Sequence, residues 1–156
     1  MPISPARVLL ALAVAGAALA AAQEAPPEPP VPAPVVLASG TGVLAGPDGA
    51  ETPLPWIDTA EGPLVSLAPV VAVLGGRLET GALGASFTLT VGDVAFVLAP
   101  GSPALTRGAE ILALSRAPLE RDGQLYVPID FVMKSYGTLL GATAAWDGAA
   151  RRAACR

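Results

Sequence analysis

Residues 122–132 read Asp122-Gly123-Gln124-Leu125-Tyr126-Val127-Pro128-Ile129-Asp130-Phe131-Val132, and this stretch decides the fold. Arg121-Asp122-Gly123-Gln124 is a turn signal. Leu125-Tyr126-Val127 follows as a strand. Pro128 cannot donate to a sheet ladder, but its fixed φ suits the start of a helix. Ile129 to Tyr136 (IDFVMKSY) is the expected helix, with Asp130 in its first turn, where a negative charge favours the helix dipole, and Gly137 at its end.

The same arrangement recurs at an offset of 62 residues, which lays Val65 on Val127, Leu67 on Ile129, Val70 on Val132, Gly75 on Gly137 and Leu78 on Leu140. Leu67 to Leu74 (LAPVVAVL) is apolar all round and reads as a short buried helix. Ser66 stands at its N-cap, Pro69 is tolerable in the first turn, and Gly75-Gly76 stops it. Each unit would close with a strand, Arg77 to Thr80 in the first and Ala142 to Trp146 in the second. Neither can bury its helix alone, so both are expected to pack on one sheet around the central hairpins.

Those hairpins are legible between the units. Ser86 to Val91 alternates with Phe87, Leu89 and Val91 on one face, Gly92-Asp93 turns, and Val94 to Leu98 returns. Pro100-Gly101-Ser102-Pro103 breaks the run. Ala104 to Thr106 and Ile111 to Leu114 are expected as two more short strands around Arg107-Gly108. The fold class is α+β: a small antiparallel sheet of hairpins with two short helices in a pseudo-twofold repeat.

Gly123, Tyr126, Val127, Pro128 and Phe131, followed by Gly137, Gly141 and the pair Trp146-Asp147, form a pattern that resembles the copper amine oxidase-like N-terminal domain, or stalk domain. The resemblance covers roughly residues 63–147. Asp130 stands where that family usually has Arg, and the first unit has Ser66 in place of the Pro and no Trp-Asp. The resemblance implies a small α+β fold, export to the cell envelope, and fusion to other domains, among them cell-wall N-acetylmuramoyl-L-alanine amidases. It does not imply copper, because the quinone chemistry of the namesake belongs to a separate domain.

Toward the N-terminus the composition changes. Val8 to Ala22 is an unbroken apolar run of fifteen residues after one positive charge, Arg7, and it ends in Ala20-Ala21-Ala22. It is shorter than the roughly 18–20 residues a membrane span needs, and its small C-terminal residues suit signal peptidase. Residues 1–22 are therefore read as a signal peptide cleaved before Gln23, the alternative being an uncleaved anchor. No stable membrane span is expected after cleavage. No Cys follows the run, so a lipid anchor has no support. Residues 23–53 are read as a Pro/Gly-rich linker. Gln23 to Val36 carries six Pro and suits an extended polyproline spacer, or a Pro-rich ligand. Ser39-Gly40-Thr41-Gly42 lacks the Lys of a phosphate loop and is read as part of that linker. Residues 54–156 are the stalk domain. Its last stretch, from Ala149 to Arg156, specifies a strand poorly, which leaves open a stand-alone module or a truncated longer protein.

Composition excludes several functions. The 156 residues include no His, which removes Ser-His-Asp and Cys-His nucleophile activation and His-ligated metal chemistry. The net charge of −4, with a single lysine at 134, argues against a nucleic-acid partner. Cys155 is the only cysteine, so no internal disulfide forms. The carboxylate pairs Asp58/Glu61 and Glu120/Asp122 are read as solvated loop charge, Arg151, Arg152 and Arg156 as a solubilising tail. Trp56, Trp146, Tyr126 and Tyr136 are read as core, the alternative being a sugar-stacking platform.

No catalytic residue, metal ligand or cofactor is therefore expected. The expected function is an exported, non-catalytic stalk or scaffold module in the periplasm or cell envelope, with peptidoglycan or an envelope protein as partner. The alternative is the N-terminal fragment of a secreted amidase.

Overall fold

A computed structural model describes residue 32 and residues 34–82, 84–141 and 143–155. The expected signal peptide and the first part of the expected linker lie outside the described residues. The chain runs β1 (Val36–Ala45), β2 (Glu51–Thr59), β3 (Gly62–Ser66), α1 (Leu67–Val73) and β4 (Arg77–Thr80). It continues through β5 (Phe87–Val91), β6 (Val94–Leu98), β7 (Ala104–Arg107) and β8 (Glu110–Ala113). It closes with β9 (Leu119–Arg121), β10 (Gln124–Pro128), α2 (Ile129–Leu140), β11 (Ala144–Asp147) and β12 (Arg152–Cys155).

The two strand–helix units meet toward the β9 edge of a seven-stranded sheet of order β11-β12-β1-β2-β3-β10-β9. β3 and β10 are antiparallel, with Val65 opposite Val127, Leu64 opposite Pro128 and Ser66 opposite Tyr126, a pairing symmetric about Val65 and Val127. α1 packs on β10 and α2 packs on β3, so each helix covers the strand of the other unit. Beyond the helices the likeness ends. β4 opens a separate five-stranded meander, β4-β5-β6-β7-β8, whereas β11 lies at an edge of the large sheet. The expected single sheet is thus two, because the central hairpins pair only with one another and with β4.

Both sheets and both helices bury side chains in one cluster. It joins Leu44, Leu54, Val65 and Val127 of the large sheet to Leu89, Phe96 and Leu98 of the small one and to Leu67, Val70 and Phe131 of the helices. Burial of this apolar surface is the main force joining the layers. Phe96 and Phe131 meet edge to face with ring centroids 6.3 Å apart.

The expected linker is corrected at its C-terminal end. Residues 36–45, including Ser39-Gly40-Thr41-Gly42, form β1, antiparallel to β2 along its length and parallel to β12 at Val43–Ala45. The two glycines are required there by close approach. A Cβ on Gly42 would lie 2.0 Å from the Arg151 carbonyl oxygen, and one on Gly40 would lie 2.7 Å from the Trp56 ring. Two prolines sit inside the neighbouring strand β2 at no cost in ladder bonds. The Val43 N–H donates to the Arg151 carbonyl at 3.0 Å, away from β2, so the opposed Pro53 nitrogen also faces away from β1. Pro55 has the same parity, and the pairing of β3 with β2 ends at Val65, opposite Trp56.

Two further boundaries move. α2 does not stop at Gly137 but runs to Leu140, where Gly141 takes the left-handed conformation (φ 61°) that a helix end favours. The strand expected over Ala142 to Trp146 is β11, Ala144–Asp147, with Ala142 outside the described residues. The weakly specified stretch after Asp147 also folds as a strand. β12 inserts between β11 and β1, and Ala153 is 2% exposed. The hairpin strands β5 to β8 and β10 lie where the sequence places them, within one residue at each end.

Candidate functional site

Residues of β6, β7 and β8 and of the N-terminal half of α2 line an open cleft of about 350 Å³. Phe96, Leu105, Leu112, Leu114 and Phe131 line it, and Arg107 and Lys134 supply its charge. Apolar walls with a few convergent polar groups are the usual make-up of a small-molecule pocket. Arg107 donates from Nε (3.1 Å) and Nη2 (2.5 Å) to Glu110. This cleft is not legible in the sequence, because its walls come from segments whose apolar residues read simply as strand and helix faces.

One side of the cleft is held by a polar tie. The Asp130 carboxylate accepts from the Ser115 N–H (3.1 Å), the Ser115 hydroxyl (2.7 Å) and Lys134 Nζ (3.2 Å). Lys134 Nζ also donates to the Ala113 carbonyl at 3.3 Å, covering part of the free edge of β8. Burial pushes the Asp130 carboxyl up, but the hydrogen bonds from Ser115 and Lys134 and the lysine charge outweigh it, so its pKa lies below the usual aspartate value. Asp130, which stands where the resembling family has Arg, thus joins α2 to the segment after β8.

A second polar cluster spans the large sheet. The Arg151 guanidinium lies 4.3 Å from the Trp56 ring centroid and pairs with Asp58 at 2.5 Å, and Arg152 pairs with Glu51 at 2.6 Å. These arginines are not a free tail, and Asp58 is not solvated loop charge: β2 carries Asp58 and Glu51, and β12 and its turn lie within reach of it. Glu61, Glu120 and Asp122 are exposed, as expected. Arg116 Nη1 is buried against Gly62 with no hydrogen-bond partner among the described residues, and it does not line the cleft.

The motif residues have separate structural places. Gly123 (φ 73°) and Asp122 (φ 53°) make the β9–β10 turn. Val127 is fully buried, Pro128 stands at the N-cap of α2, and Phe131 is 2% exposed. Tyr126 is half-buried, its hydroxyl 3.3 Å from Gln124 Oε1. Gly137 lies inside α2 and Gly141 ends it. Trp146 packs against the core, and the Asp147 carboxylate accepts from the Ala149 and Ala150 N–H groups at 3.0 Å each, shaping the turn that delivers Arg151. Trp56 is likewise half-buried against the core and covers Gly40. The Tyr136 and Cys155 side chains lie outside the described residues. Ser66 occupies the N-cap position of α1, but its hydroxyl makes no capping bond.

The residues present do not fit copper. Biological copper sites use imidazole, thiolate or thioether ligands. The chain has no His, and among the described residues no group of three His, Cys, Asp or Glu is placed to hold a metal ion.

Among the described residues no helix is long and apolar enough to cross a membrane. Comparison with curated proteins and with solved structures returned no match. The family model described as Copper amine oxidase N-terminal domain matches residues 50–155, a range that begins at β2 and takes in both sheets except β1. With its strand–helix units, its turn glycine at 123 and its Trp146-Asp147 turn all inside that match, the chain belongs to the copper amine oxidase N-terminal domain family.

Proposed function

We propose that this protein is an exported, non-catalytic stalk module that positions itself or a partner at the bacterial cell envelope. One observation carries the non-catalytic part: the two partly buried carboxylates among the described residues are engaged in structural ties, Asp58 with Arg151 and Asp130 with Ser115 and Lys134. General acid–base chemistry most often uses an imidazole or a carboxylate that is free to exchange a proton with a substrate. The apolar run at residues 8–22 and the Pro-rich segment after it support export and a spacer between domain and envelope.

The test is fractionation of the native protein from its source cells, followed by co-sedimentation of the purified protein with insoluble peptidoglycan. The expected result is recovery in the envelope or periplasmic fraction, saturable sedimentation with the wall material, and no release of soluble muropeptides. Recovery in the cytoplasm, or release of muropeptides by the purified chain, overturns the reading.

A further inference from the structure

The cleft between β6–β8 and α2 combines apolar walls with two cationic side chains, Arg107 and Lys134. We infer that it binds a small amphiphile, a compact aromatic or short acyl body that ends in a single carboxylate. This does not depend on where the protein is located.

Size comes first. A volume of about 350 Å³ falls near the lower end of the range typical of small-ligand pockets. Phe96 and Phe131 form its aromatic floor and Leu105, Leu112 and Leu114 its walls, so the enclosed part of a ligand must be apolar. Those residues are held by the core, which leaves little ordering to be done on binding.

The charges then select the other end of the ligand. Lys134 Nζ gives two hydrogen bonds, to Asp130 and to the Ala113 carbonyl, and an ammonium has three protons to give. Arg107 gives Nε and Nη2 to Glu110, and Nη1 makes no hydrogen bond among the described residues. Two cations with spare donors therefore line one cleft. Their carboxylate partners, Asp130 and Glu110, neutralise them, so the spare N–H donors suit a monoanion, while the surplus positive charge that a dianion such as a phosphate ester needs is missing. Ser115 holds Asp130, and Asp130 and the Ala113 carbonyl hold the Lys134 ammonium itself, so it is positioned before a ligand arrives.

The experiment is an amide-detected NMR titration of the intact protein with 3-phenylpropionate, octanoate and the neutral 3-phenylpropan-1-ol. Expected is saturable one-to-one binding of both acids, with shifts concentrated at Phe96, Leu112 and Lys134. The alcohol should bind about tenfold more weakly than 3-phenylpropionate, and Lys134→Gln should weaken the acid by a similar factor, the worth of one charge-assisted hydrogen bond. Leu112→Trp, at a half-exposed wall position, should fill the cleft and abolish binding while the circular dichroism spectrum stays unchanged. Absence of saturation at millimolar acid, shifts located away from the cleft, or equal affinity for acid and alcohol each overturn the proposal.

Discussion

Gly42 and Arg151 touch through backbone: the Gly42 Cα face lies against the Arg151 carbonyl, and the next residue, Val43, takes that carbonyl as its hydrogen-bond acceptor at 3.0 Å. The contact joins β1, from a Pro/Gly-rich stretch, to the turn before β12. Arg151 itself has positive φ (49°), which brings its carbonyl under β1 while its side chain reaches Trp56 and Asp58.

Gly42→Ala and Gly40→Ala separate the two glycines of β1. At Gly42 the obstacle is backbone at 2.0 Å, which cannot move without parting β1 from β12. At Gly40 it is the Trp56 ring at 2.7 Å, which can tilt. Gly42→Ala should cost about 3 kcal/mol, at the upper end of overpacking costs, and Gly40→Ala about 1 kcal/mol. Urea denaturation of both variants measures this; equal costs would contradict the assignment.

Arg151→Ala removes the cation–π contact with Trp56 and the ion pair with Asp58. Both side chains of the pair are about one quarter exposed, so the loss should be about 1 kcal/mol and smaller at high salt. A double-mutant cycle with Asp58→Asn should return a coupling of about 0.5 kcal/mol at low ionic strength.

Asp130 links stability to pH. Its folded-state pKa lies below the ordinary value of 3.8, so the unfolded chain binds its proton at higher pH than the folded one. The contribution of this group is therefore fully present above the unfolded value and is lost as pH falls through the depressed folded pKa. Asp130→Asn should destabilise the protein at pH 6, and the gap between variant and wild type should narrow below pH 3.8. Denaturant midpoints at pH 6 and at progressively more acidic pH read both quantities.

Gly137 and Gly141 should respond to alanine with opposite sign. Gly137 is in the interior of α2, where alanine gains about 1 kcal/mol in helix propensity. Gly141 holds the left-handed C-cap, where a side chain costs about 1 kcal/mol. Thermal melts of the two variants should shift in opposite directions.

Turn chemistry explains what could be read in advance. Gly92-Asp93 and Asp122-Gly123 set their hairpins, and Pro128 followed by Ile129-Asp130 sets the start of α2, because each signal depends on neighbours two or three residues away. The end of α2 was misplaced for the same reason. Gly137 and Gly141 are both plausible stops locally, and nothing within a few residues says which one takes positive φ. The cleft was not legible at all, since Arg107, Leu112 and Lys134 approach one another only when the five-stranded sheet packs against α2.

The strand–helix units, their correspondence at an offset of 62 residues and the lack of any imidazole for catalysis are legible in the residues alone, whereas the antiparallel pairing of β3 with β10 is not. Tertiary structure alone decided that residues 36–45 and 152–155 are strands and that the hairpins form a second sheet. The physical reason lies in what those segments lack. Ala38 to Gly42 and Ala153-Ala154 carry small side chains with weak β preference, and they become strands because Trp56, Leu44 and Trp146 need backbone close beside them. That demand is set by residues up to about a hundred positions away along the chain, and pairing over such distances is specified by packing rather than by local preference.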